Sequence, residues 1–586
     1  MVPILTLHNP ARAQRYYAEG SWRRETMYAL LRSHAEERPG AYALRDYRRR
    51  LTFAEVLRWV DAVGAWLHGL GLRRGERVSV WLPNRVETVI VLLACSRNGT
   101  VCNPSLHQNY TVAEVAGLLR RLRTSVLIAQ PGYGAGGTVA GGTVASGAPS
   151  AGGTGASGTA PGAGGDLAAQ LRDVASLKRI VRVAPLDDPR ARGEFPAPDY
   201  SPADAPEPSA DPDQVVYIAF TSGTTGEPKG VMHSDNTLLA NGRALVHDWG
   251  HSAESVILTL SPLSHHIATV AVAQWLAAGA ELAVNAPGPG RSALEWIEET
   301  GATYVMGVPT HAMDLLSQVE RTGRAGLGRV RVFYMAGAPI PSGTAQRFLR
   351  MNVTPQNVYG MSENGSHNYT LPADDVRTIT ETCGRPGQGY EIRIFDQNDP
   401  NRELPEGEVG EIGGRGAVLM LGYWGDQAAT EAGFNASGWF LSGDLGRLDE
   451  RGCLSIVGRK KDLIIRGGHN IHPARIEDLA LRHPGVLKAA AFAVPDERLG
   501  EKVCLAVIPA PGQSVPAPAL LEHLHAAGLS TTDMPEYFVQ LDAFPLTASG
   551  KILKRELAGW ARSGRIRPEP VRWSAAGKRG SGDGGT

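Results

Sequence analysis

The segment TSGTTGEPKG, residues 221–230, gathers hydroxyls and glycines around a single lysine. Gly223, Gly226 and Gly230 let successive backbone N–H groups turn toward one anion, and Thr221, Ser222, Thr224 and Thr225 add hydroxyl donors. Lys229 supplies a compact positive charge. This is the make-up of a phosphate-binding loop, but not of G-x-x-x-x-G-K-[ST]. Lys229 stands between Pro228 and Gly230, so no helix starts at the lysine. The next helix is expected near Ser234–Asp235, which leaves the loop to wrap a phosphate tail without a helix dipole. Lysine is also scarce. Of 59 basic residues nine are lysines, and a chain so free with arginine keeps lysine where a mobile point charge is wanted. Lys229 gains weight from this, as does Lys551 in the polar loop TASGK.

A chain of 586 residues exceeds what one core can hold and implies two or more domains. Its 42% hydrophobic and 20% charged content is ordinary for a soluble globular protein. The formal net charge is zero, so nothing draws the chain to nucleic acid or to an anionic membrane. Cys95, Cys102, Cys383, Cys453 and Cys504 are scattered, odd in number and without C-x-x-C spacing. That argues for a reducing compartment and against a disulfide framework or a zinc site. The N-terminus MVPILTLHNPARAQRYY has no basic leader with a long apolar stretch, and the longest apolar run, VIVLLAC, is far short of a bilayer. A cytoplasmic location with no membrane span is expected.

These loops need elements to hold them. Helices are expected over 52–72 and 86–99, each ending at glycine, with ERVSVWLPN (76–84) as a buried strand between them. The alternation resumes with QVVYIAF (214–220), the strand that delivers the phosphate loop, then ESVILTLSPL, AELAVNA, ATYVMGVPT and VRVFYMAGAP. It predicts an α/β fold class, layered subdomains with mostly parallel sheets. Near 445–460 the texture shifts to short strands joined by polar turns. The expected division is an N-terminal domain over 1–460, a small α+β domain over 461–566 and a disordered tail over 567–586. Residues 131–165 hold no charge and repeat GGTVA in tandem, the composition of a flexible surface insertion.

With further segments in view the chain resembles the AMP-forming adenylating enzymes, among them acyl-CoA synthetases, aryl-acid and amino-acid adenylation domains and luciferases. YGMSE (359–363), GWFLSGDLGRLDERG (438–452), GRKKDLIIRGGHNIHPARIE (458–477) and PLTASGKILKREL (545–557) recur in that family's order. The resemblance spans about residues 20–565 apart from the insertion. It implies ATP, Mg²⁺ and CoA. Glu363, a hard oxygen donor, would hold Mg²⁺ with Thr225. Tyr359 would face the purine, with Gly337, Ala338 and Pro339 as the opposite wall and Gly360, Met361 and Ser362 beside it. Asp444 would grip the ribose hydroxyls, aided by Arg459. Asp444 is expected at a strand end. Lys551 would bridge the substrate carboxylate and the α-phosphate, and Lys229 would tend the leaving group. Lys461 is implied as the hinge about which a mobile C-terminal domain rotates, bringing Gly467 and Gly468 past a pantetheine arm.

In SPLSHHIATV, His265 falls on the family's His/aromatic position beside the acyl pocket, and the resemblance implies a catalytic as well as a pocket role for it. His266 stands where dihydroxybenzoate ligases resembling this chain carry Asn and amino-acid adenylating domains carry Asp, so both substrates are disfavoured. The pair is either a satisfied turn or a gate and pocket wall. Ala336 and Ser366 complete the expected apolar pocket. Several runs look most like ligases that load cyclohexanecarboxylate or related cyclic and medium-chain acids onto CoA. The alternative is a stand-alone adenylating enzyme that loads a carrier protein's phosphopantetheine. A non-catalytic relative would have lost Lys229, Glu363, Asp444 or Lys551, and all four are present. Monomer and homodimer are both open.

Overall fold

Local signals set where the helices begin and end. Ser234 accepts the Thr237 N–H and so starts the helix Asp235–Trp249, which Gly250 closes at φ 64°. Thr52 and Glu55 form a reciprocal cap on Phe53–Gly69, and Gly99, at φ 66°, ends Val86–Asn98. The computed structural model describes residues 5–7, 9–134, 167–188, 193–200, 205–221, 228–337, 340, 342–546 and 552–573. Most of the Gly-rich insertion therefore lies outside the described residues.

Contacts divide the chain into two units. The first takes in residues up to 392 with 414–440 and 452–454; the second takes in 393–413, 441–451 and the chain from 455 on. The boundary expected at Lys461 falls inside the second unit as contacts draw it.

Two sheets organise the first unit. A six-stranded sheet runs Arg179–Arg182, Val126–Ala129, Arg77–Trp81, Val101–Asn103, Val215–Thr221, Lys229–Ser234, parallel throughout except for the last pair. A nine-stranded sheet is parallel across its centre, from Thr354–Met361 through Val332–Ala336, Tyr304–Gly307 and Val256–Thr259 to Glu281–Val284. The early hairpin Tyr42–Arg45 and Arg50–Thr52 joins its far edge, Leu44 opposite Leu282. Central strands are buried on both faces by helices, which is why they read as unbroken apolar runs. The mostly parallel α/β architecture expected from sequence is what the chain adopts.

Helices Asp235–Trp249 and His266–Ala278 pack very closely. A Cβ on Gly242 would meet the Ala273 backbone at 2.5 Å, so only glycine admits this approach. The large buried rings of Trp275 and Phe53 stack beside them at 6.1 Å.

In the second unit, Val486–Asp496 and Gly500–Pro509 form a long antiparallel pair extended by Ile464–Arg466, His469–Ile471 and Tyr537–Gln540. Helices Pro473–Leu481 and Ala517–Ala526 cover a core that includes Ile476, Leu505, Val507 and Leu524. Two expectations are corrected here. Asp444 lies inside the strand Phe440–Leu448, not at its end, because the strand continues past the kink at Gly443 (φ 73°). Residues 567–573, expected to open a disordered tail, carry the edge strand Glu569–Pro570 paired to Tyr537–Gln540. Trp573, stacked on His525 at 4.0 Å, anchors it. Residues 574–586 lie outside the described residues. Among the described residues no helix is long and apolar enough to cross a membrane.

Candidate active site

Strands Val215–Thr221 and Lys229–Ser234 pair antiparallel with Thr221 opposite Lys229. Ser222, Gly223, Thr224, Thr225 and Gly226 lie outside the described residues. The Lys229 ammonium sits 4.6 Å from the ring centroid of Tyr423, an attractive placement for a cation on an aromatic face. The hydroxyl of the same Tyr423 donates to Glu363 Oε1 at 2.9 Å. One aromatic residue thus joins the lysine of the phosphate loop to the carboxylate of YGMSE. Glu363 stands in the turn after Thr354–Met361, where Met361 N–H donates to Asn364 Oδ1 and Asn364 N–H donates back to the Met361 carbonyl.

Val332–Ala336 and Thr354–Met361 are parallel neighbours with Ala336 opposite Val358, which brings Gly337 (φ 91°) to the level of Tyr359. Ala338 and Pro339 lie outside the described residues. Tyr359 is nearly buried, its ring edge-on to His367 at 5.2 Å, and His367 stacks on Tyr390 at 4.3 Å. Gly360 sits at a register shift, where a Cβ would meet the Gly365 carbonyl oxygen at 1.8 Å. Ser362 offers its carbonyl to His233. Ser366, on the strand Gly365–Tyr369, is held through its backbone by Asn241 at 2.9 and 2.8 Å. Its hydroxyl lies 2.5 Å from that of Tyr334, which is fully buried two residues before Ala336.

His265 closes a turn, its N–H donating to the Pro262 carbonyl at 2.8 Å, and caps the helix His266–Ala278 that His266 begins. His266 stacks on His233 at 5.0 Å, and His265 lies edge-on to His107 at 4.6 Å. His233 Nε2 donates to the Ser362 carbonyl at 2.7 Å, which fixes its tautomer and ties the phosphate-loop strand to YGMSE. Burial pushes His233 and His107 down to about 4, and His266 well below its ordinary value, with His233 adding to the effect. These imidazoles are neutral at working pH.

In the second unit Arg459 Nε lies 2.9 Å from Asp444 Oδ1, so the two residues expected at a ribose are partners. Next to them Glu411 accepts the Gly443 N–H at 3.1 Å and Lys460 Nζ at 2.8 Å. Lys461 follows in a short 3₁₀ turn, its pKa lowered by burial and then by Arg459. Gly467 and Gly468 form the two-residue turn between Arg466 and His469 with φ of 58° and 85°, a conformation that calls for glycine at both places. Lys551 lies outside the described residues.

Sequence reasoning missed Tyr423, His233, Tyr334, Asn241 and Glu411. Each acts through a partner distant in sequence, and a buried tyrosine or histidine in a strand carries no local mark of that pairing. The signal available for Tyr423 was its place in LGYWGD, part of GGRGAVLMLGYWGDQAATEAGFN, one of the runs that look like the CoA ligases.

A family model described as AMP-binding enzyme matches residues 31–424, and one described as AMP-binding enzyme C-terminal domain matches 475–551. The medium-chain fatty-acid–CoA ligase of Escherichia coli (strain K12) is 28% identical over 558 residues, covering 94% of this chain and 93% of that one. A feruloyl-CoA synthase of an Amycolatopsis species is 32% identical over 521 residues, covering 89% and 96%. The crystal structure of ATP-bound MatB from Rhodopseudomonas palustris superposes with a TM-score of 0.77 at 26% identity, covering 92% of this chain and all of that one. The chain belongs to the AMP-binding enzyme family and is by class an AMP-forming acid–thiol ligase, an acyl-CoA synthetase.

Proposed function

We propose that the protein activates a cyclic, aryl or medium-chain carboxylic acid with ATP and passes the acyl group to CoA. The carboxylate oxygen attacks the α-phosphorus, pyrophosphate leaves, and the acyl-adenylate forms; the thiol sulfur then attacks the acyl carbon and AMP departs. The observation that carries this reading is the meeting of Lys229 and Glu363 on the two sides of Tyr423. Such a pairing suits a polyphosphate that must be held while charge builds on its leaving end.

Among the described residues no three His, Cys, Asp or Glu side chains cluster as a metal cage. A single carboxylate fits an ion that arrives on nucleotide phosphates and keeps its waters, as Mg²⁺ does. Glu363 would hold it, and the ion would neutralise charge on the departing pyrophosphate. Lys229 would do the same from the other side, and Lys551 would bridge the carboxylate and the α-phosphate. Tyr359 would face the purine, and Asp444 with Arg459 would hold the ribose. Lys461, Gly467 and Gly468 would serve the thioester step.

The acid class draws on two supports. Relatives act on medium-chain fatty acids and on ferulate by name. In this chain Ala336 and Ser366, the residues expected to line the acyl pocket, are both buried, and Ser366 is paired with the buried Tyr334 hydroxyl at 2.5 Å. His266, kept neutral by burial and by His233, offers no charge to an amino-acid ammonium.

The test is a pyrophosphate-release screen over cyclic, aryl and C4–C10 acids, with and without CoA. Acid-dependent release and a CoA thioester are expected for at least one class. Release without thioester formation on free CoA would transfer the reading to a carrier-protein acceptor. Lys551→Ala should cut acid-dependent pyrophosphate release more than about 100-fold while thioester formation from added acyl-adenylate persists. Equal loss of both half-reactions would remove the role given to Lys551.

A further inference from the structure

Residues 420–424 run as a strap between the places that carry Lys229 and Glu363. On one side Trp424 N–H donates to the Gly230 carbonyl at 2.7 Å, Met232 N–H to that of Gly422 at 3.0 Å, and Leu421 N–H to that of Met232 at 2.9 Å. On the other side Met420 N–H donates to the Glu363 carbonyl at 2.7 Å. The two places belong to different sheets, since Lys229–Ser234 edges the six-stranded sheet and Glu363 follows a strand of the nine-stranded one. The strap is therefore a direct backbone link between them.

Tyr423 repeats the link with its side chain. Its hydroxyl donates to Glu363 Oε1, and its ring lies beneath Lys229. Its own N–H is anchored at 2.9 Å on the hydroxyl of Thr430, a residue 2% exposed.

We propose that Tyr423 is a positioning residue for nucleotide activation, aiming the Glu363 carboxylate at a divalent cation on the triphosphate and fixing where Lys229 stands relative to it. The inference rests on the acid-activating reading above and adds a residue to it. A hydrogen-bond partner of a metal-binding carboxylate orients it, and loss of such partners weakens metal affinity by roughly 10–100-fold. The two functions of the side chain are separable. Phenylalanine keeps the ring under Lys229 and removes the donor to Glu363; leucine removes both.

The experiment compares full-length wild type, Tyr423→Phe and Tyr423→Leu. Mn²⁺ binding in the presence of ATP and without acid is followed by electron paramagnetic resonance. In parallel, pyrophosphate release is titrated with Mg²⁺, ATP and acid. Tyr423→Phe is expected to weaken Mn²⁺ binding and to raise the half-saturating Mg²⁺ by about 10-fold, with the KM for acid unchanged. Its thermal midpoint should stay within about 2 °C of wild type. Tyr423→Leu should add a rise of about threefold in the KM for ATP, through release of Lys229. Wild-type Mn²⁺ affinity in Tyr423→Phe would overturn the proposal, as would a uniform rise of every constant together with a lower melting point. If no acid yields pyrophosphate but Tyr423→Phe still weakens Mn²⁺ binding, the reaction reading falls and the positioning role stands.

Discussion

Asp235 is fully buried at the first turn of the helix Asp235–Trp249, where its Oδ1 accepts the Met27 N–H at 2.9 Å and the Ser96 hydroxyl at 2.7 Å. Its Oδ2 meets no hydrogen-bond partner among the described residues. Burial outweighs the two donors and raises its pKa from 3.8 to about 7. Because the folded value lies above the unfolded one, the stability it contributes is fully present below about pH 4 and lost as pH rises through 7. The whole effect is about 4 kcal/mol. Asp235→Asn keeps the accepting oxygen and puts an amide where the proton resides. It should flatten the fall in unfolding free energy between about pH 4 and 7, measured by urea denaturation across that range. An unchanged pH profile would show that Asp235 is ionised in the fold. At this scale the sequence was legible where a residue advertises itself locally: Lys229, Tyr359, Glu363 and Asp444 stand in short motifs, and the structure gives the first and third a shared partner and the last an arginine. Tyr423 and His233 were not legible, since their importance is a contact with residues 60 and 129 positions away. His367 belongs with them. Neither of its ring nitrogens has a hydrogen-bond partner among the described residues, and burial holds its pKa down at about 3.

The turn Gly467–Gly468 illustrates the scale of elements. A Cβ on Gly468 would meet nothing within 4 Å, so any cost of a side chain there is conformational. Gly468→Ala should destabilise the second unit by about 1–2 kcal/mol, and Gly468→Asn by less, because asparagine tolerates left-handed backbone. Chemical denaturation of the three proteins checks this; equal stability would mean that the backbone relaxes to negative φ. Helices and parallel strands were readable because their caps, glycine stops and apolar runs are local. The four-stranded sheet from Tyr390–Phe395 to Leu454–Arg459 was only glimpsed as a change of texture. Its strands carry residues such as Glu411, Asp444 and Arg459, whose polarity masks the alternation. The edge strand Glu569–Pro570 was hidden for a related reason: proline and charge in RPEP read as tail, while Trp573 supplies the anchor from outside the strand.

At the scale of the whole chain, the Gly-rich stretch 131–165 interrupts a folded subdomain whose stems are well held. Tyr133 packs edge-on to Trp81 at 6.2 Å, and Leu171 and Val174 are buried beyond the other end. Deleting 136–163 should therefore leave the melting temperature within about 2 °C and the activity within about twofold. A collapse of either, read by calorimetry and pyrophosphate release, would give the stretch a role.

The hairpin Tyr42–Thr52 has a history as well as a place. Leu44 pairs with Leu282, so on the ribosome this strand waits about 240 residues for its neighbour, on the order of 10–50 s at ordinary rates of synthesis. Its arginines make that wait tolerable. Arg45, Arg48, Arg49 and Arg50 flank an otherwise apolar strand and act as gatekeepers against premature pairing. Three of them later find acidic partners on segments that emerge at different times: Arg49 with Glu87 at 2.7 Å, Arg50 with Glu281 at 2.8 Å and Arg45 with Glu299 at 3.0 Å. The charges that keep the nascent hairpin soluble are those that fasten it once the sheet exists.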